Sequence, residues 1–146
     1  MEIKEIKAQE TYSLRQQVMW PDKPLEFVML NNDEEGVHFG LWKDSNIISV
    51  VSLFRNGNVA QFRKFATKTS EQGNGFGTLL LEYVMTFVSN EKIEKLWCNA
   101  RADKTSFYER LGMTQTPKTF MKEGIDYILM EKTFANNDSQ RETTFR

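Results

Sequence analysis

Six residues carry the clearest chemistry in this chain, Gln72-Gly73-Asn74-Gly75-Phe76-Gly77. Three glycines in six positions let backbone N–H groups converge without side chains in the way. The helical pattern that follows points the positive end of its dipole at the same spot. Together these features make a site for phosphate or pyrophosphate. The spacing is not the G-x-G-x-x-G of dinucleotide folds, and no Gly-Lys-Ser/Thr follows as in a P-loop. A flexible loop that only caps a core helix is the plainer alternative. Elsewhere, one cysteine (Cys98) and one histidine (His38) leave no His/Cys set for zinc. Cys98 reads as a small buried packing residue rather than a nucleophile.

The elements around the loop follow from hydrophobic spacing. Ile3 and Ile6 mark a short first strand. Residues 10–19 read as a helix, with Leu14 and Val18 on one face. The run Trp20-Pro21-Asp22-Lys23-Pro24 ends it, and Pro24 starts a helical turn over 25–28. Residues 31–36 form an acidic loop. Its Asp33-Glu34-Glu35 is either a solvated surface or an attraction for a cationic amine. Strands are expected over 37–42, 47–54 and 59–67, with hairpin turns at 43–46 and at 55–58 around Asn56-Gly57. Phe76, Leu79, Leu80, Tyr83, Val84, Phe87 and Val88 predict one buried helix face ending near Asn90. Residues 93–99 form a fifth strand, and a strand–helix–strand unit makes the fourth and fifth strands parallel. Asp103 is placed to cap a short helix over 105–111 that Gly112 ends, and 125–130 form the last strand. The order β-α-β-β-β-α-β-α-β predicts an α+β domain over 1–134, with a mixed, mostly antiparallel sheet and helices on both faces. Residues 135–146 read as a polar tail.

Composition sets the outer limits. A chain of 146 residues, 40% hydrophobic and 27% charged, fits one domain with its own core. A formal net charge of −1 gives no general attraction to nucleic acid or to an anionic membrane. The charged N-terminus is unlike a signal peptide, no apolar run reaches the roughly 20 residues of a membrane span, and a lone cysteine suits a cytoplasmic setting.

The chain resembles the GNAT superfamily of N-acetyltransferases. Gln72-x-x-Gly75-x-Gly77 is similar to the family's [Gln/Arg]-x-x-Gly-x-[Gly/Ala] signature, in the expected place between fourth strand and helix. Asn99-Ala100-Arg101-Ala102 followed by Phe107-Tyr108-Glu109-Arg110-Leu111-Gly112-Met113 resembles the family's fifth strand and Phe-Tyr-x-x-x-Gly-Phe segment. Leu14-Arg15, Pro21-x-x-Pro24-Leu25-Glu26 and His38-Phe39-Gly40 resemble a subgroup of small bacterial members. Thr69 stands where many members carry proline, Met113 where most carry phenylalanine, and Gln72 brings an amide without charge.

The resemblance implies acetyl-coenzyme A as co-substrate, no metal, and transfer to a primary amine by direct attack in a ternary complex. It places the pyrophosphate on Gln72, Gly73, Asn74, Gly75, Phe76, Gly77 and Thr78. The pantothenate arm would pair with the backbone of Phe65, Ala66 and Thr67, where the fourth and fifth strands splay apart to admit acyl-coenzyme A. Asn99 would hold the cofactor or a bridging water, and Arg101 or Arg110 would reach phosphate or solvent. Tyr108 would be the general acid toward the thiolate, a role a phenol can fill. Glu26, His38 and Glu109 compete for general base, although a histidine on an alternating strand is more often structural. Trp20 would pack or wall the acceptor site. The acceptor is a small-molecule or protein amine, a homodimer is compatible, and neither nucleic acid nor membrane is a partner. The rivals are a catalytically silent coenzyme A sensor and an unrelated nucleotide- or phosphate-binding domain.

Overall fold

The computed structural model describes residues 1–135. Seven strands form one mixed sheet in the order β1-β2-β3-β4-β5-β7-β6: β1 Glu2–Ile6, β2 Val37–Lys43, β3 Asn46–Asn56, β4 Val59–Thr67, β5 Lys95–Arg101, β6 Thr114–Lys122 and β7 Ile125–Thr133. The helices are α1 (Tyr12–Leu14), α2 (Phe76–Asn90) and α3 (Thr105–Arg110). The β2–β3 turn places Asp44 and Ser45 at positive φ, as a two-residue hairpin of this hand requires. β4 and β5 are the parallel pair, in register over Val59↔Lys95, Ala60↔Leu96 and Gln61↔Trp97. Pairing stops there, although β4 continues to Thr67 and β5 to Arg101. Among the described residues no helix is long and apolar enough to cross a membrane.

The chain divides into two compact units. The first comprises Met1–Phe54 and Phe62–Met85. Its core includes Ile6, Leu14, Val50 and Ala66, with Val18, Met19, Trp42 and Ile47 packed against them. The expected helix over 10–19 is a composite: a 3-10 turn (Ala8–Thr11), α1, then a π-helical turn (Arg15–Met19). The wide turn begins at Arg15, which is fully buried. Both terminal nitrogens of Arg15 bond the Asp33 carboxylate at 2.9 Å; Nη1 also donates to the Val28 carbonyl and Nη2 to Ser52 Oγ. Leu30 N–H donates to the same carboxylate. The acidic loop is therefore partly an anchor, since Asp33 is buried while Glu34 and Glu35 are not.

The second unit comprises Arg55–Gln61 and the chain from Thr86 on. β5 and β7 are antiparallel from Lys95↔Thr133 to Arg101↔Tyr127. β6 is the strand that the sequence does not announce. It is an edge strand with almost every residue exposed, and its register shifts between Gln115 and Thr119, across Pro117. β5 begins at Lys95 rather than Ile93. Asp103 does not cap α3, since the N-cap is Lys104 with no side-chain bond. At the other end Gly112 has φ +91°, and Lys132 Nζ donates to the Leu111 carbonyl. α2 buries Leu80, Leu81, Val84, Met85 and Val88, whereas Leu79 and Tyr83 are exposed, so its inner face is turned from the one expected. The expected tail lies, beyond Ala135, outside the described residues.

Burial alone would raise the Asp33 carboxyl, but the Arg15 hydrogen bond, the Leu30 N–H and the Arg15 and His38 charges hold it below its ordinary value. A depressed carboxylate stabilises the fold above its unfolded pKa of about 3.9 and loses that contribution as pH falls through the lower folded value. Asp33→Ala is expected to cost about 3–5 kcal/mol in urea unfolding, because it strands a buried guanidinium. The wild-type advantage over Asp33→Asn should be flat from roughly pH 5 to 8 and shrink only below about pH 4.

Candidate active site

In the first unit, β4 leads into a 3-10 turn (Thr69–Glu71), then the glycine loop, then α2. Gly73 and Gly75 sit at φ +82° and +85°, conformations that side chains rarely adopt. Leu79 N–H bonds the Gly75 carbonyl at 3.1 Å, so Gly75 is the residue before the first helical turn. The N–H groups of Phe76, Gly77 and Thr78 then have no acceptor within the helix. A β-carbon on Gly73 or Gly75 would meet nothing within 4 Å, so the loop is open at both positions. Gly77 is glycine for a different reason: its β-carbon would stand 2.8 Å from Phe65 Cζ and 3.3 Å from Thr67 Oγ1. This arrangement of donors, dipole and space fits a pyrophosphate.

Gln72 does not aim its amide outward. Its Nε2 donates to the Thr67 carbonyl at 2.9 Å, and Asn74 Nδ2 donates to the Glu71 carbonyl at 3.3 Å. Both side chains brace the loop, which leaves backbone N–H groups as the donors available to an anion. Beneath it Lys43 Nζ pairs with Glu71 at 3.0 Å and sits 5.3 Å from the Phe76 ring centroid. On β4, Ala66 is buried and Phe65 and Thr67 are half-buried, with Thr67 Oγ1 2.8 Å from Ser49 Oγ. Just before them Lys64 has φ +57°, a left-handed residue inside a strand. Such kinks re-aim neighbouring groups and cluster at functional sites. Lysine has no preference for that conformation, so nothing in the sequence signals it.

His38 lies on β2 with both ring nitrogens engaged. It is buried; its Nε2 lies 2.7 Å from the Asp33 carbonyl and its Nδ1 2.6 Å from Ser52 Oγ. The carbonyl can only accept, so Nε2 carries a proton, and Nδ1 is engaged with the Ser52 hydroxyl, which itself accepts from Arg15. Neither ring nitrogen is left for a substrate. Glu26 is exposed on the 3-10 turn Leu25–Val28, and Trp20 packs edge-on against Phe27 at 5.2 Å.

In the second unit, Tyr108 lies half-buried on α3, its ring at 83° to that of Phe107. Burial, then the nearby Cys98, raise its phenol above the ordinary value, and Arg101 opposes them. Burial pushes the Cys98 thiol up to about 12, so it is a packing residue with no thiolate at neutral pH. Asn99 is exposed on the stretch of β5 beyond the parallel register. Glu109 is exposed and accepts from Gln115 Nε2 at 3.3 Å.

The sequence profile of the acetyltransferase (GNAT) domain matches residues 4–134. The chain is 26% identical over 143 residues to the uncharacterized N-acetyltransferase YitI of Bacillus subtilis strain 168, covering 91% of this chain and 96% of that one. Among solved structures it is similar to the ribosomal-protein-S18-alanine N-acetyltransferase of Escherichia coli, at a TM-score of 0.79 and 18% identity over 92% of this chain and 94% of the other. It is also similar to a GNAT family acetyltransferase of Elizabethkingia anophelis with acetyl-CoA bound, at a TM-score of 0.73 and 19% identity over 91% and 97%. At these identities the structural likenesses carry the fold alone. The chain belongs to the GNAT acetyltransferase family.

With both ring nitrogens engaged, His38 is expected to act on stability rather than on rate. His38→Ala should lower unfolding stability by about 1–3 kcal/mol by leaving Ser52 and the Asp33 carbonyl short of partners. Any acyltransfer activity of the variant should keep the wild-type pH–rate profile, which a base at this position would not permit.

Proposed function

We propose that this protein transfers an acetyl group from acetyl-coenzyme A to a primary amine by direct attack. The observation that carries this reading is the glycine loop, with open space over two left-handed glycines and the free N–H groups of the first turn of α2. In the proposed roles, Gly73, Gly75, Phe76, Gly77 and Thr78 hold pyrophosphate through backbone N–H, while Gln72 and Asn74 keep the loop in shape. The β4 backbone over Phe65–Thr67 takes the pantothenate arm, beside the kink at Lys64. Asn99 holds the cofactor or a water. Acetyl-coenzyme A supplies an activated thioester. The amine nitrogen bonds the acetyl carbon, the C–S bond breaks, and one amine proton is removed to leave an amide and coenzyme A.

Tyr108 is assigned to the sulfur. A phenol held above its ordinary value stays protonated at every working pH, so it can donate a hydrogen bond to the departing thiolate. Complete proton transfer would be uphill, since a thiol has a pKa near about 8.5. Tyr108 is thus better suited to stabilise the thiolate than to surrender its proton outright. With His38 excluded, Glu26, Glu109 or water remains as acceptor of the amine proton. The engagement of His38 also favours a second reading, a coenzyme A binding module without turnover.

Thiol release from acetyl-coenzyme A in the presence of an amine panel separates the two. Amine-dependent release is expected; coenzyme A binding without release to any amine would establish the silent module. Tyr108→Phe should lower kcat by about 10²-fold, with little change in coenzyme A affinity or melting temperature. The Tyr108 titration should cause no loss of wild-type rate up to about pH 10, because the group works protonated and its pKa is raised.

A further inference from the structure

Arg63 lies on β4 immediately before the left-handed Lys64, in the first unit. Its side chain is half-buried, and among the described residues it makes no hydrogen bond or ion pair. The charged groups acting on it are Arg15 and Asp33. Asp33 offers little relief, because its carboxylate already accepts from both Arg15 nitrogens and from Leu30 N–H. Burial, then repulsion by Arg15, lower the Arg63 guanidinium from its ordinary value, and Asp33 only opposes them. A guanidinium stays charged regardless, and this one, half-buried and without a hydrogen-bond partner among the described residues, keeps its donors open to solvent or to an anion. An anion that arrives with a ligand would complete it.

The position on the strand identifies which ligand. From Arg63 to Thr67 the chain advances about 13 Å, at the usual strand rise of about 3.3 Å per residue, and the glycine loop begins beyond that. The pyrophosphate assigned to the loop is therefore remote from Arg63. An arm lying on Phe65–Thr67 leads from the loop toward Arg63, which places this cation at the acyl end, where the amine must enter. The planar fork of the guanidinium matches a carboxylate through two parallel hydrogen bonds. We infer that Arg63 binds the carboxylate of the acceptor, so that the substrate class is an amine that also carries a carboxylate, an amino acid in the simplest case. The inference rests on the acyltransferase reading above.

Matched acceptors test it: an amino acid, its carboxamide and its decarboxylated amine, each assayed at saturating acetyl-coenzyme A, with coenzyme A binding measured separately by calorimetry. The carboxylate member is expected to exceed both others in kcat/KM by about 10-fold or more, chiefly through KM. Arg63→Gln should bring the ratio close to one while coenzyme A affinity is kept, and Arg63→Lys should retain part of the preference. If Arg63→Gln does not fold, the Arg63→Lys ratio decides, with an intermediate value in support and an unchanged one against. A wild-type ratio at or below one, an unchanged ratio in Arg63→Gln, or no transfer to any carboxylate-bearing amine by enzyme that binds coenzyme A would overturn the inference. Failure of the wild type to bind coenzyme A would overturn the acyltransferase reading itself, and this inference with it.

Discussion

A buried guanidinium needs acceptors, and the partners that the terminal nitrogens of Arg15 gather organise the first unit, although its Nε has none among the described residues. Its two terminal nitrogens reach the Asp33 carboxylate, the Val28 carbonyl and Ser52. These partners come from the turn after the first helix, from the acidic loop and from β3. A buried ion pair is weak as a source of net stability, because desolvation offsets much of the attraction. Its effect here is on placement. The helix widens to a π turn at Arg15, Leu30 N–H is drawn to the same carboxylate, and His38 is recruited through Ser52 and the Asp33 carbonyl. The histidine that the family resemblance named as one candidate base is thereby a member of this network.

The same network leaves a cation unmatched. Arg63 shares the field of Arg15 and Asp33, and the single carboxylate there is already occupied. β4 thus carries three departures from ordinary strand behaviour in succession. Its parallel pairing to β5 stops at Gln61, Arg63 has no partner among the described residues, and Lys64 adopts positive φ. The glycine loop, with Gly73 and Gly75 left-handed, extends the series, and such departures are the kind that cluster at functional sites.

What the sequence discloses follows how locally each feature is encoded. The hairpin at Asp44-Ser45, the turn begun by Pro24, the glycine loop and α2 are set by residues adjacent in the chain, and all are legible. α2 also shows the limit of periodicity. An apolar stripe broad enough to include both Leu79 and Leu81 does not say which edge is buried, and the structure buries Leu81 and exposes Leu79. β6 escaped because Thr114–Lys122 is exposed along nearly its whole length and contains Pro117, so neither alternation nor composition marks it as a strand. Asp33 reads as one more acidic loop residue until Arg15 is seen beside it. The spacing of the loop glycines marks them as candidates, whereas the inward use of the Gln72 amide, the unpaired state of Arg63 and the kink at Lys64 depend on contacts distant in sequence or on backbone geometry.

The central claim is that the glycine loop binds the pyrophosphate of coenzyme A through backbone N–H. Calorimetric titration of coenzyme A into the wild type and into Gly75→Glu tests it most directly. The wild type should bind in the micromolar range. The variant, which sets a carboxylate into the open space over the loop, should lose that binding while keeping a cooperative thermal transition. No heat with the wild type, or equal affinity in the two proteins, would contradict the account.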